Sequence, residues 1–207
     1  MTFMKHEFSA KIITLREIYE ASYQLAQLIT QSSYQFDAVI AIARGGFPAA
    51  RFVCDFLNIR NLGSIQIIHY GSGANKKEKI EITAPLNIPI KSKKVLIIDD
   101  VNDTGYTLKA AHEYIQTLQP SLLKIAVLHE KAVTTFKADF IAKHQKKWKW
   151  LIYQWAVTED ILAFLKNDNM LDVTETEARK HLEKKYNLKI SNTLLQHILS
   201  MKGSYFK

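Results

Sequence analysis

The sequence predicts an α/β chain built on an open, mostly parallel twisted sheet flanked by helices. Two observations predict it. Short apolar runs, often β-branched, at 37–43, 64–70, 95–98 and 124–129 are each closed by a cluster of Gly, Asp, Glu or Lys, as strands buried on both faces are. Between several of them, apolar residues recur at three- and four-residue spacing, the period of an amphipathic helix. At 207 residues the chain has room for one sizeable domain and a small appendage.

In order, Thr14 with Glu17 forms a capping box, and Leu15, Ile18, Tyr19, Ser22, Leu25, Ala26 and Ile29 carry a helix to about Thr30. The strand at 37–43 runs into Arg44-Gly45-Gly46-Phe47-Pro48, followed by a helix over 49–57 whose first turn suits Pro48. Gly-Gly between strand and helix is either a plain turn or a place where backbone and arginine approach an anion. After the strand at 64–70 comes Gly71-Ser-Gly-Ala-Asn-Lys-Lys-Glu-Lys79, a solvated hairpin tip or a closing lid. Residues 81–84 return as a strand, and 85–94 connect into the centre of the sheet.

The central stretch is Val-Leu-Ile-Ile-Asp-Asp-Val-Asn-Asp-Thr-Gly-Tyr-Thr-Leu, residues 95–108. Its apolar strand ends in Asp99 and Asp100, turns through 102–105 and enters a helix at Thr107. Leu108, Ala111, Ile115 and Leu118 give that helix its apolar face, with His112 read as a packed or surface residue. Such a strand–loop–helix aims backbone N–H groups at one point, which suits a phosphate. Two carboxylates beside it suit sugar hydroxyls or a hard cation such as Mg²⁺. Strand-end Asp and Asp-Thr-Gly turns are also ordinary punctuation, but three acids with Thr-Gly-x-Thr between strand and helix favour a ligand.

The strand at 124–129 ends in Glu130-Lys131, and a short strand follows at 138–141. Trp148, Trp150 and Trp155 fall within eight residues, a stripe that serves either a core or a flat ligand. A helix continues over 160–165, Thr174 with Glu177 forms a second capping box, and helical patterns reach about Tyr186 and then span 191–201.

Apolar residues make up 47% of the chain and charged residues 23%, and seven Gly with four Pro leave no long flexible linker. No apolar run approaches the ~20 residues of a membrane span. The first residues lack the apolar core of a secretory signal. A single cysteine, Cys54, on an apolar helical face, excludes an internal disulfide framework; both features predict a cytoplasmic protein. A net charge of +8 fits nucleic acid or a polyanionic small substrate, and no arginine-rich run chooses between them.

The 95–108 stretch resembles the phosphoribosyl-pyrophosphate signature of the type I phosphoribosyltransferases, and the resemblance covers roughly residues 36–158. It implies that family's fold, with a small base-binding hood inside a domain at 1–158 and a helical C-terminal extension at 159–207. It implies transfer of a phosphoribosyl group to a purine with release of pyrophosphate, in nucleotide salvage. Asp99 and Asp100 would hold the ribose hydroxyls and Mg²⁺. Val101, Asn102, Asp103, Thr104, Gly105, Tyr106 and Thr107 would line the 5′-phosphate, Arg44 and Gly45 the pyrophosphate, and Lys76, in a lysine-bearing lid with Lys77 and Lys79, the leaving group. Asp103 would be the catalytic residue, accepting a proton at purine N7.

The region after 124–129 is similar to that of 6-oxopurine phosphoribosyltransferases of the xanthine-guanine type. By position Lys131 would meet the base carbonyl oxygen, Trp150 cover the ring and Leu151 contact its edge. Gln154 stands where a proline often precedes the second tryptophan. A homodimer or higher assembly is expected. Because this fold is reused for phosphoribosyl-pyrophosphate sensors that bind nucleic acid without catalysis, such a regulator is the alternative. The extension carries no catalytic pattern.

Overall fold

Continuous β-branched runs and amphipathic helices alternate along the chain as the periodicity predicts. The computed structural model describes residues 8–70 and 79–206. In chain order its elements are β1 (Ala10–Ile12), α1 (Leu15–Gln31), β2 (Ala38–Ala43), α2 (Gly46–Phe56), β3 (Leu62–Tyr70), β4 (Lys79–Ala84), β5 (Lys94–Asn102) and α3 (Tyr106–Thr117). They continue with β6 (Leu122–Lys131), β7 (Phe140–Gln145), β8 (Trp150–Ile152), α4 (Val157–Asn167), α5 (Glu175–Tyr186), α6 (Asn192–Ser200) and α7 (Lys202–Tyr205). They fall into two compact units, one of residues 16–147 and one that joins the N-terminal residues up to Leu15 with those from Trp148 onward.

The first unit holds a six-stranded sheet in the order β4-β3-β2-β5-β6-β7, parallel throughout except where β4 returns antiparallel on β3. Its central strands read as unbroken apolar runs because helices cover both faces: Val95, Leu96, Ile97 and Ile98 are all fully buried. Val95 and Ile97 share a core with Ile40 and Ile42 on β2, Leu108, Ala111 and Ile115 on α3, and Ile125 and Val127 on β6. Each such aliphatic side chain contributes about 1.5–3 kcal/mol on burial. Helix α1 buries the stripe Ile18, Ala21, Ser22, Leu25, Ala26 and Ile29, and the Ser22 hydroxyl donates to the Ile18 carbonyl at 2.8 Å rather than standing unsatisfied. Cys54 is buried as expected, and burial pushes its thiol up to about 11.

Two boundaries differ from the sequence reading in a way that shapes the site. β5 does not stop at Ile98 but runs through both acids to Asn102, and β6 runs on to Lys131. The reason is their shared ladder, which pairs Asp99 with Val127, Val101 with His129 and Asn102 with Glu130. α2 starts at Gly46, ahead of the expected 49, and keeps Pro48 in its first turn. β7 begins at Phe140 rather than 138.

The second unit is built on the parallel pair β1–β8, in register Ala10 to Trp150 and Ile12 to Ile152. Its core joins Ala10 and Ile152 to Ile161 and Leu165 of α4, Ala178 and Leu182 of α5, and Leu195 and Ile198 of α6. The compact units therefore divide at 147/148, not at the expected 158/159, because β8 and the C-terminal helices bury their apolar faces in one core. The second capping box forms as read: the Thr174 hydroxyl accepts from the Glu177 N–H, and the Glu177 carboxylate accepts from the Thr174 N–H. Ser191 caps α6 through the Leu194 N–H. No helix among the described residues is long and apolar enough to cross a membrane.

Candidate active site

The chemistry-bearing side chains of the first unit gather at the C-terminal edge of its sheet, where open α/β sheets hold ligands. β2 and β5 are parallel neighbours, so Arg44-Gly45-Gly46 leaves β2 beside the acids of β5. The contact is close enough to require glycine. A Cβ on Gly45 would overlap the Asp100 carboxylate, and one on Gly46 would lie 2.6 Å from the Ile98 carbonyl oxygen and 3.0 Å from the Asp99 Cα. Arg44 itself is exposed, and the Ala43–Arg44 peptide is cis.

Asp99 and Asp100 are 7% and 9% exposed. The Asp99 Oδ1 accepts from the Asp100 N–H at 2.9 Å. Burial, and then the neighbouring Asp100 charge, push the Asp99 carboxyl well above the usual carboxylate range. Two adjacent buried acids with this tension suit a divalent cation, which would relieve it. Among the described residues no group of three or more His, Cys, Asp or Glu side chains could hold a metal, so such a cation would draw its other ligands from a bound substrate or water.

Beyond the acids the chain turns through Asp103 and Thr104 to Gly105, whose φ of +96° admits glycine far more readily than any other residue. A Cβ there would also meet the Phe136 nitrogen at 2.6 Å. Gly105 is the N-cap of α3 and brings no side-chain cap, and a helix start of this kind suits an anion. Thr104 and Tyr106 are exposed, Val101, Asp103 and Thr107 half-buried.

The connection between β6 and β7 forms the floor of this loop. The Thr135 N–H and hydroxyl both donate to the Thr104 carbonyl, at 3.0 and 3.1 Å. Asn102 is 2% exposed and turns inward: its amide donates to Glu130 Oε2 at 3.0 Å and to the Phe136 carbonyl at 2.8 Å, and accepts from the Thr134 hydroxyl at 3.0 Å. Its side chain is thus committed to the floor, away from the phosphate lining expected of it. One residue on, Lys131 Nζ donates to Asp103 Oδ2 at 2.5 Å.

The structure therefore brings together Arg44, Gly45, the stretch from Asp99 to Thr107, and Lys131. Trp150 and Leu151 lie on β8 in the second unit, Trp150 at 37% exposure and stacked against Phe8 with ring centroids 6.4 Å apart, Leu151 buried. Lys76, Lys77 and the rest of the expected lid, apart from Lys79 at the start of β4, lie outside the described residues. His112 is half-buried against the Phe136 ring, 5.7 Å between centroids, as a packing residue. Glu130, Thr134 and Phe136 are the members that sequence reasoning missed. A 590 Å³ cavity lined by Tyr34, Asp37 and Arg60 sits at the opposite, N-terminal end of β2 and β3, so concavity alone points away from the chemistry.

The chain is similar to known proteins. The family model described as phosphoribosyl transferase domain matches residues 11–160. The hypoxanthine-guanine phosphoribosyltransferase of Aquifex aeolicus is 32% identical over 118 residues, 54% of this chain and 66% of that protein, just under two thirds of its length. That of Bacillus subtilis is 26% identical over 147 residues, 67% of this chain and 79% of that protein. Among solved structures, the purine phosphoribosyltransferase from Pyrococcus horikoshii superimposes with a TM-score of 0.63 at 30% identity, over 72% of this chain and 95% of that one.

Proposed function

Since the chain belongs to the phosphoribosyl transferase domain family, we propose that it transfers the 5-phosphoribosyl group of phosphoribosyl pyrophosphate to a 6-oxopurine, releasing pyrophosphate. The observation that carries this reading is the Asp103–Lys131 ion pair, set beside two buried acids and an uncapped helix N-terminus. Each part of the donor then has a matching feature. The loop from Asp103 to Thr107 and the α3 N–H groups receive the 5′-phosphate. Asp99 and Asp100 receive the ribose hydroxyls, and with substrate oxygens they would hold Mg²⁺, which supplies positive charge to the departing pyrophosphate. Arg44 and the Gly45 backbone hold that pyrophosphate, with Lys76 from the lid.

The acceptor is recognised by the ion pair itself. Lys131 donates to Asp103 in the free chain; a 6-oxopurine offers its carbonyl oxygen to the same ammonium. Asp103 is then free to take the N7 proton as N9 attacks the anomeric carbon. The protein does little covalent chemistry; positioning and fixed charge dominate. The Pyrococcus horikoshii and Aquifex aeolicus relatives, a purine and a hypoxanthine-guanine enzyme, support the same acceptor class. The proposal includes a homodimer or higher assembly, read by light scattering, and a cytoplasmic place in purine salvage.

The test is a panel of hypoxanthine, guanine, xanthine, adenine, uracil and orotate with phosphoribosyl pyrophosphate and Mg²⁺, following pyrophosphate release. Release with one or more 6-oxopurines and none with the pyrimidines is expected. Silence across the panel sinks the reading; silence with salt-dependent binding of RNA or DNA replaces it by a regulator.

A further inference from the structure

Glu130 is a buried carboxylate that the reaction does not use. At 2% exposure it accepts two hydrogen bonds, from the Asn102 amide at 3.0 Å and the Ala138 N–H at 2.9 Å, both on Oε2, and its Oε1 pairs with the Lys137 ammonium at 3.2 Å. This one group ties two segments to β6: the last residue of β5 and the floor connection just before β7. A buried acid at the end of a parallel ladder is costly unless fully partnered, and apolar residues would fill the space at less cost. What such a group contributes best is register.

Register is what the neighbouring pair needs. Asn102 and Glu130 are direct partners across β5 and β6. Asp103 follows the last residue of β5 and Lys131 is the last residue of β6, and they meet at 2.5 Å. Successive side chains on a strand point to opposite faces, so a slip of one residue would send Lys131 to the wrong side of the sheet. Thr134 adds to this hold by donating to the Asn102 side-chain oxygen.

We propose that Asn102 and Glu130 form a positioning clamp that sets the register in which Asp103 and Lys131 meet. The inference rests on the transferase reading for its kinetic consequence but not for its geometric one. Glu130 touches no reacting atom; it acts through the loop it holds. Specificity of placement, rather than binding of the donor, is the quantity it controls.

Three variants test it. Glu130→Ala removes all three contacts of Glu130, Asn102→Ala removes the cross-strand bond together with those to Phe136 and Thr134, and Glu130→Gln keeps an oxygen that can accept from both Asn102 and Ala138. A misplacement of order 1 Å at Asp103 lowers kcat by roughly 10–100-fold in Glu130→Ala and Asn102→Ala. KM for phosphoribosyl pyrophosphate stays within about 3-fold, because the phosphate loop keeps its separate anchor from Thr135 to the Thr104 carbonyl. Glu130→Gln returns kcat to within about 3-fold of the parent chain. A second readout needs no turnover: acylation of lysines in the free chain, followed by mass spectrometry, finds Lys131 protected in the parent and in Glu130→Gln but labelled in Glu130→Ala and Asn102→Ala.

Turnover within about 2-fold of the parent in Asn102→Ala, or equal losses in Glu130→Ala and Glu130→Gln, overturns the clamp. Unchanged protection of Lys131 in Asn102→Ala also overturns it, whether or not Glu130→Ala folds. An inactive parent chain with the labelling pattern intact would instead count against the transferase reading and leave the clamp standing.

Discussion

Two buried carboxylates in this chain have opposite surroundings. In the second unit, Asp168 follows α4 and meets three donors: His181 Nε2 at 2.7 Å, Tyr186 OH at 2.7 Å and Lys185 Nζ. Burial pushes its carboxyl up, but the donors outweigh burial and hold it down at about 2. In the first unit, Asp99 has one backbone donor and a second acid beside it, and its carboxyl is pushed up. The same contrast runs through the helices. α5 and α6 begin at Thr174 and Ser191, which cap them, while α2 and α3 begin at Gly45 and Gly105, which do not. Where polar side chains are paired and helix starts are capped they hold structure together; crowded acids beside helix starts without a side-chain cap suit a ligand.

The largest effect expected from breaking this contrast is kinetic. Asp103→Ala removes the proposed proton acceptor and lowers kcat by ~10²–10⁴-fold in the pyrophosphate-release assay. Unchanged turnover would remove Asp103 from the chemistry.

Next come the two crowded and satisfied acids themselves. Asp168→Asn leaves Lys185, His181 and Tyr186 with a neutral partner and destabilises the chain by roughly 1–3 kcal/mol, read as a fall in denaturation midpoint. Asp99→Asn does the reverse, relieving like charge and raising the midpoint while lowering activity. The two acids also respond oppositely to pH. Asp168 titrates lower in the folded state than its ordinary 3.8, so its contribution is complete above about pH 4 and is lost as the pH falls towards about 2. Asp99 titrates higher when folded, so its ionisation costs stability as the pH rises through 3.8 and above. Melts of the parent and of each Asn variant between pH 2 and 7 separate the two: Asp168→Asn should flatten the acid side, Asp99→Asn the rise in cost above it. Parallel curves for all three chains would erase the distinction.

How much of this was legible follows from sequence distance. The stretch from Asp99 to Thr107 could be read because strand, acids, turn and helix are neighbours in the chain. The capping box at Thr174 and the place of Ser191 at a helix start are local in the same way. The bond between Asn102 and Glu130 joins residues 28 apart, and Glu130 looks like any charged strand end until β5 and β6 are laid in register. β1 is three residues long and pairs with a strand some 140 residues later, too short for any period to show. The division at 147/148 has no Gly-Pro linker to mark it; it exists because Ile152 shares a core with Leu165 and Leu182.

The smallest effect tests the helix half of the contrast. Ser191 Oγ accepts from the Leu194 N–H at 3.2 Å, and without it that donor turns to water. Ser191→Ala should therefore cost about 1 kcal/mol, the usual worth of an N-cap, and leave phosphate binding by the first unit untouched. Gly105→Ala is its counterpart on α3. No cap is lost there, because none exists, yet a Cβ at φ +96° meets the Phe136 backbone and must shift the loop. Weakened binding of phosphoribosyl pyrophosphate by calorimetry, absent from Ser191→Ala, is the expected result. Equal binding losses in both variants would mean that helix capping, not the open loop, governs the site.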